Sequence, residues 1–361
     1  MKYLTKITCT PKINNIMPKK VSIVGNGNWG TSIGRLLANN TIESSIFEKD
    51  VRMWGFSEEF EGRALSDIIN RDRVNPKYLP GIHLPENLKA VDDISTLADS
   101  DVLVFALPHQ YIKAIEPLKG LVKNSCIGVS LTKGFIDAED GDIDLVSRSI
   151  HRILDINVSV MMGANIADQV ARDIISEGTL GYTDEDAADV VYKLFNSYTY
   201  RVTKIKDVYG VEISGALKNV VSMAYGFAEG LGYSTNTKVA IFRNGFAEIR
   251  KFFKFFYPMA TTESLFQSSG VGDLLVSCMS GRNFGCAKIM AEKRMSLKEA
   301  EQTMRFTKLQ GPTTALIVYN YLKRQKRIDE FPLMSTVYRI CYEDEAYDAI
   351  LECISFESIE K

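Results

Sequence analysis

"VSIVGNGNWG", Val21 to Gly30, is the stretch on which the fold turns. A short apolar run leads into glycines at 25, 27 and 30, the G-x-G-x-x-G spacing of a strand-to-helix turn. That spacing acquires meaning only in context: a strand must precede it and a helix must follow. "NWGTSIGRLLANN" supplies the helix, with Ile33, Leu36 and Leu37 on one face. Further apolar runs follow at "VRMWGF" (51–56), "DVLVFAL" (101–107, stopped by Pro108), "CIGVSL" (126–131) and "VSVMMGA" (158–164). Strand and helix alternating at this rhythm predict an α/β, Rossmann-type, doubly wound parallel sheet. "TLGYT" and "YRVTKI" (200–205) predict two more strands. Near 208 the pattern changes to helical periodicity with many small residues, beginning "YGVEISGALKNVVSMAYGFAEGLG". The expected organisation is a flexible leader (1–19), a Rossmann-type domain (20–207) and an all-α C-terminal domain (208–361).

In this setting the glycines point to a dinucleotide. Gly25 permits the tight turn, Gly27 lets backbone approach a pyrophosphate, and Gly30 lets helix and strand pack closely. The helix start adds free N–H groups and a positive dipole end. The second strand ends "MWGFSEE", so Phe56 stands where an acid for the ribose is usual, with Glu58 and Glu59 beyond it. Those acids disfavour an extra 2′-phosphate and favour NAD over NADP; Arg52 weighs the other way.

The chain has 361 residues, 45% hydrophobic and 24% charged, with net charge −2. That is an ordinary globular composition, with no basic excess for nucleic acid and no apolar run near the roughly 20 residues of a membrane span. Cysteines at 9, 126, 278, 286, 341 and 353 form no C-x-x-C pair and read as reduced thiols. His83, His109 and His151 are scattered, so no metal site is expected. Residues 1–20 carry five lysines and no acid. A disordered basic leader is preferred to a transit peptide, because arginine and serine are missing. "FFKFF" (252–256) suits a core or subunit interface better than a membrane surface.

Four clusters can carry chemistry. On "ISGALKNVV", Ser214, Lys218 and Ser222 share one helical face. Lys218 is either a snorkelling surface lysine or a partly desolvated one with a lowered pKa, able to exchange a proton with a carbinol. Asn219, about 100° round the helix, can bond a substrate hydroxyl or the carboxamide. "SLTKG" brings Lys133 to the carboxyl edge of the sheet. "GVGDLLVSCMSGRNFG" offers Asp273, as a helix cap or a catalytic neighbour, and Arg282 with Asn283 after a Ser-Gly turn; an arginine fork suits phosphate. "KLQGP" places Lys308 and Gln310 on a loop that can close, before a Gly-Pro stop. His109 of "PHQY" is assigned a structural or cofactor-contact role, and Tyr111 can flank the dinucleotide.

Taken together, "VGNGNWGTSIGRL", "KYLPGIHLPENLKAV", "LPHQYI", "LTKGF", "GANIADQVA", "EISGALKNVVSMAYGFAEGLG", "NTKVAIFRNGFAEI", "SSGVGDLLVSCMSGRNFGCA", "KLQGPTTA" and "FPLMSTVYRICYE" run in order from about 20 to 345. Through them the chain resembles the NAD-dependent glycerol-3-phosphate dehydrogenases of the eukaryotic cytosolic type. The resemblance implies reversible hydride transfer between NADH and dihydroxyacetone phosphate, giving sn-glycerol 3-phosphate. It implies Lys218 as proton donor with Lys133 and Asp273 as catalytic neighbours. Asn219, Arg282, Asn283, Lys308 and Gln310 are implied substrate binders. The implied NAD side comprises Gly25, Asn26, Gly27, Asn28, Trp29, Gly30, Phe56, Phe105 or Tyr111, and Gly163, Ala164 and Asn165. Lys133, Arg282, Lys308 and Gln310 contribute to it as well. It further implies a cytoplasmic homodimer joined through the helical domain. Two positions depart from the family pattern: Ser277 stands for a threonine, and Phe284 for a basic residue. A hydroxyacid dehydrogenase, which would want a carboxylate clamp, does not explain "SGRN" and "KLQGP" together. A catalytically silent NAD-sensing protein would have lost the proton donor or the clamp, and both remain.

Overall fold

The computed structural model describes residues 17–137, 142–303 and 309–354. In chain order the first part is β1 (Lys19–Val24), α1 (Asn28–Glu43), β2 (Phe47–Trp54), a two-strand ribbon of β3 (Glu59–Phe60) and β4 (Arg63–Ala64), α2 (Leu65–Asp72) and β5 (Leu88–Val91). There follow β6 (Val102–Phe105), β7 (Ile127–Ser130), a second ribbon of β8 (Phe135–Asp137) and β9 (Ile143–Leu145), and α3 (Val146–Leu154). Then come β10 (Asn157–Met162), α4 (Ala167–Ala171), β11 (Ser176–Gly181), α5 (Glu185–Phe195) and β12 (Tyr200–Ile205). Among the described residues from Val208 onward the regular elements are helical: α6 (Val208–Gly230), α7 (Thr235–Phe256), α8 (Asp273–Ser280), α9 (Arg282–Lys293), α10 (Leu297–Thr303), α11 (Gln310–Arg324) and α12 (Pro332–Tyr342).

Eight strands form one sheet in the order β12-β11-β10-β7-β6-β1-β2-β5. The chain leaves β1 toward β2 on one side and later returns to β6 on the other. The crevice beyond the carboxyl ends of β1 and β6 is therefore the switch point where such sheets bind ligands. The buried faces of β1, β6 and β7 are almost wholly apolar, as a sheet covered on both sides requires.

Three expectations are corrected here. The second strand begins at Phe47, before the predicted Val51: Phe47 pairs with Lys19, and Glu48, Lys49 and Asp50 fill an irregularity before Val51 pairs with Val21, with Lys49 and Asp50 exposed. The edge strand β5 carries no apolar run and gave no sequence signal. The sheet is not wholly parallel: β11 runs antiparallel to β10, and β12 is parallel to β11. After β10 the chain makes only the short α4, whose Ala167 carbonyl accepts from Ser32 Oγ of α1 at 2.9 Å, and turns back.

The helical part is built around α6, buried along most of its length. Its small residues let neighbours close in: a Cβ on Gly226 would lie 2.5 Å from the Phe284 carbonyl of α9. Asp207 caps α6 by accepting from the Gly210 N–H at 2.8 Å, and also takes the Thr261 N–H at 2.8 Å. Two buried glutamates cap other helices from a distance. Glu212 of α6 accepts from the Ser147 N–H at the start of α3, and Glu248 of α7 accepts from the Leu333 and Met334 N–H groups at the start of α12. The "FFKFF" rings belong to this core: Phe252 and Phe256 pack on Phe331 and Tyr321, while Lys254 faces water. Among the described residues no helix is long and apolar enough to cross a membrane, and no His, Cys, Asp and Glu group could hold a metal ion.

Candidate active site

Lys218 sits mid-way along α6, where packing on all sides leaves its side chain 9% exposed. Its Nζ donates to Asp273 Oδ1 at 2.5 Å and to Ser277 Oγ at 2.7 Å. Lys133 follows β7, and its Nζ donates to the other carboxylate oxygen, Oδ2, at 2.6 Å. One buried carboxylate thus bridges two lysines brought from distant parts of the chain. Burial lowers the Lys218 pKa from its ordinary 10.5; Asp273 opposes that shift and the Lys133 charge adds to it. The snorkelling alternative for Lys218 is excluded by its burial.

Asp273 does not cap its helix. The residue opens α8 after Gly272, which provides no side-chain cap, and its carboxylate is turned to the two lysines. Residues 268–272 form a helical turn that runs directly into α8 and already accepts the Asp273 N–H, so the carboxylate is left to the two lysines. Ser277, one turn on, retains a hydroxyl that meets Lys218.

Lys133 is aimed by its neighbours. Thr132 Oγ1 donates to the Leu107 carbonyl at 2.7 Å. Gly134 has φ +121°, and a Cβ there would stand 2.5 Å from His109 Nδ1. The His109 ring is 7% exposed, and burial depresses its pKa. It is a packed neutral imidazole behind the lysine.

Asn219, Asn283 and Gln310 form one network. The Gly311 N–H donates to Asn283 Oδ1 at 2.9 Å, Asn283 Nδ2 to Asn219 Oδ1 at 3.0 Å, and Asn219 Nδ2 to Gln310 Oε1 at 3.4 Å. A backbone N–H only donates, which sets the orientation of both amides and leaves Asn219 presenting its Nδ2. Gln310 is the first residue of α11 and Gly311-Pro312 lie inside its first turn, so "QGP" starts a helix where a stop was expected. Proline is tolerated there because first-turn N–H groups have no helical partner. Lys308 lies outside the described residues. Arg282 opens α9. Its guanidinium has no carboxylate partner among the described residues; the side chain is open to solvent, and the protein packed around it lowers its pKa. An accessible cation without a counter-ion suits an anion. Phe284 turns its ring to Tyr225 of α6, 6.1 Å between centroids.

The glycine turn lies at the switch point. Gly25 has φ +121°, and a Cβ on Gly30 would fall 2.0 Å from the Gly25 carbonyl oxygen. Beside Gly27 a Cβ would meet nothing within 4 Å. Asn26 lies against Gly55, Asn28 Nδ2 donates to the Tyr78 carbonyl at 2.8 Å, and Trp29 is half-buried on the sheet core. α1 starts here with no acid in its first turn. An open backbone edge at a helix start free of acids fits a dinucleotide's pyrophosphate.

Phe56, 43% exposed, makes edge-to-face contact with Tyr111, centroids 5.7 Å apart. Phe105 is fully buried. Of the two aromatic candidates only Tyr111 reaches the surface beside Phe56, because Phe105 ends β6 with its ring turned into the core. Glu58 accepts from Tyr78 Oη at 2.9 and 2.8 Å and from Lys77 Nζ at 2.8 Å. Arg52 is engaged by Asp99 at 2.6 Å and by the Thr96 carbonyl, so it does not offset Glu58.

After β10, Gly163 fits closely against the Glu177 carbonyl. The Ala164 N–H donates to Ser268 Oγ at 3.1 Å. Asn165 Nδ2 donates to the Glu177 carbonyl at 2.9 Å and its Oδ1 accepts from the buried Tyr200 phenol at 3.0 Å. Sequence reasoning passed over Tyr200, Ser268 and Asn75 as site residues, since each reaches the site through a contact across the fold.

A switch-point glycine turn, facing a lysine–carboxylate–lysine cluster on a helical second part, defines a dehydrogenase of the dinucleotide-binding class. Comparison with known proteins gives the family. Residues 20–188 match the model of the NAD-dependent glycerol-3-phosphate dehydrogenase N-terminus, and residues 207–352 that of the C-terminus. The chain is 40% identical over 340 residues to the cytoplasmic glycerol-3-phosphate dehydrogenase [NAD(+)] of Bos taurus, covering 93% of this chain and 97% of that protein. The human counterpart shows the same identity and coverage. Among solved structures, the glycerol-3-phosphate dehydrogenase of Saccharomyces cerevisiae superposes with TM-score 0.86 at 36% identity, covering 94% of this chain and 99% of that one. That of Plasmodium falciparum gives 0.89 at 34%, covering 95% and 97%. The chain belongs to the NAD-dependent glycerol-3-phosphate dehydrogenase family. It is an oxidoreductase whose cofactor is NAD.

Proposed function

We propose that the protein reversibly interconverts dihydroxyacetone phosphate and sn-glycerol 3-phosphate, with Lys218 as the proton donor in reduction and the base in oxidation. The observation that carries this reading is the burial of Lys218 against Asp273 and Ser277, which holds its Nζ at one point and lowers its pKa. NADH, when bound, supplies the hydride. The chain's own residues do the rest. Arg282 takes the substrate phosphate, assisted by Asn283, and Asn219 donates from Nδ2 to a substrate oxygen. Lys218 delivers a proton to the carbonyl oxygen at C2. Lys133 adds positive charge where negative charge develops, an oxyanion-type effect, and Asp273 keeps both lysines in register. Gripping the phosphate away from the reacting carbon converts binding energy into orientation.

In this reading residues 20–207 are the cofactor half and 208–361 the substrate and dimerisation half of a homodimer. Gly25 to Gly30, Phe56, Tyr111, Ala164, Asn165, Lys133 and Arg282 face the cofactor. Lys308 and Gln310 are assigned to the same site. The cytoplasmic relatives support a cytoplasmic location.

The direct test follows NADH absorbance with purified protein and dihydroxyacetone phosphate, beside NADPH and unphosphorylated dihydroxyacetone. Loss of NADH only with the phosphorylated ketone is the expected result. No loss with any pairing, in folded protein that still binds NADH, overturns the catalytic reading.

A further inference from the structure

Asn75 lies in the connection between α2 and β5, 49 residues along the chain from Asn26. It is fully buried. Its Nδ2 donates to the Asn26 carbonyl at 2.9 Å and to Thr31 Oγ1 at 2.8 Å. Thr31 Oγ1 donates in turn to the same Asn26 carbonyl at 2.8 Å. Asn75 Oδ1 accepts from the Tyr78 N–H at 3.2 Å, so the amide's polar atoms are all engaged. The segment from Asn75 to Leu79 is closed on itself by the Leu79 N–H on the Asn75 carbonyl at 2.8 Å. It then reaches two places at once. Asn28 Nδ2 bonds the Tyr78 carbonyl, and the Tyr78 phenol bonds Glu58 at the end of the second strand.

Both lone pairs of the Asn26 carbonyl are therefore taken from inside the protein. A trans peptide points its C=O and N–H in opposite directions. With the Asn26 oxygen tied inward, the Gly27 N–H is turned outward, and a Cβ on the same residue would meet nothing within 4 Å. That is the edge at which a pyrophosphate oxygen would be received.

We propose that Asn75 is a positioning residue for the cofactor's pyrophosphate: by holding the Asn26 carbonyl, it aims the Gly27 N–H into the switch-point crevice. The proposal rests on the reading of the glycine turn as the pyrophosphate site. A turn held in its binding geometry spares the ligand the cost of ordering it.

The test is Asn75→Ala, read by KM for NADH, kcat at saturating NADH, and competitive inhibition by ADP-ribose, which has the pyrophosphate, and adenosine, which lacks it. Expected are an increase of about tenfold in KM for NADH and in the ADP-ribose constant, as for a lost, well-placed hydrogen bond, with kcat and the adenosine constant within about twofold. An unchanged ADP-ribose constant overturns the proposal, and so does an equal loss for adenosine, which signals general loosening. Should Asn75→Ala fail to fold, Thr31→Val removes the other hydrogen bond to the Asn26 carbonyl and reads the same quantities. Gly27→Val separates the underlying reading, because its side chain enters space that is open in the fold. If it leaves ADP-ribose binding intact, the turn is not the pyrophosphate site and both statements fall. If it weakens binding while Asn75→Ala does not, only the role of Asn75 falls.

Discussion

At the scale of single residues, the lysine pair decides the chemistry. Lys218→Ala removes the proposed proton donor and leaves Asp273 paired with Lys133 alone. Turnover is expected to fall about 10²-fold or more, the usual loss when general acid catalysis is removed; a rate within about threefold of wild type would refute the role. The pH profile reports the same group. A donor must be protonated, so kcat/KM for ketone reduction declines as pH rises through the Lys218 pKa, which burial holds below the ordinary 10.5. Oxidation, which needs the free amine, rises over the same interval. Asp273→Asn withdraws the charge favouring the ammonium and should move the limb further down; an upward move contradicts the assignment. Arg282, without a carboxylate partner among the described residues, is the proposed cation for the phosphate. Arg282→Ala should raise KM for dihydroxyacetone phosphate at least about tenfold, with turnover falling as orientation is lost, while activity toward dihydroxyacetone barely changes. Equal effects on both ketones would show that Arg282 does not hold the phosphate.

At the scale of elements, the site depends on how segments end. The turn after β7 that carries Lys133 ends at a glycine whose φ of +121° and contact with His109 admit no side chain. Gly134→Ala is expected to cost about 1–3 kcal/mol of stability and to reduce turnover by displacing Lys133, measured by denaturant titration beside kinetics. Wild-type turnover in this variant would mean that the loop does not aim the lysine. Much of this level was legible in the sequence. Short continuous apolar runs marked the inner strands, and Lys218 stood out on an apolar helix. The edge strand β5 was not legible, since half-exposed edges need no apolar run. The antiparallel return of β11 was not legible either, because strand direction depends on where the intervening segment packs.

At the scale of the whole molecule, buried charge links folding to pH. Glu212 and Glu248 each cap a distant helix from within the core, and burial raises both carboxyls from 4.5 to about 7. The folded state therefore holds protons that the unfolded chain releases between 4.5 and 7. The stability these groups contribute is complete below 4.5 and is lost as pH rises through about 7. Glu248→Gln keeps an acceptor for the start of α12 but cannot ionise. Its melting temperature relative to wild type should accordingly improve as pH is raised from about 5 to about 8. A relative Tm that stays flat across this range would show that Glu248 is ionised throughout.

The sequence by itself determined the alternation of strand and helix, the glycine turn after the first strand, the change to helix at 208, and the residue types available for acid and anion chemistry. These follow from local periodicity and from backbone constraints, which neighbouring residues set. Tertiary structure alone decided which groups meet. Asp273 reads locally as a helix cap, yet it pairs with lysines 55 and 140 residues away. Phe105 and Tyr111 read alike, yet one lies in the core and the other at the surface. Asn75 carries no local signal and reaches the glycine turn only through packing. A hydrogen bond between distant segments is set by how helices and sheet close on one another, and chain periodicity holds no information about that closure.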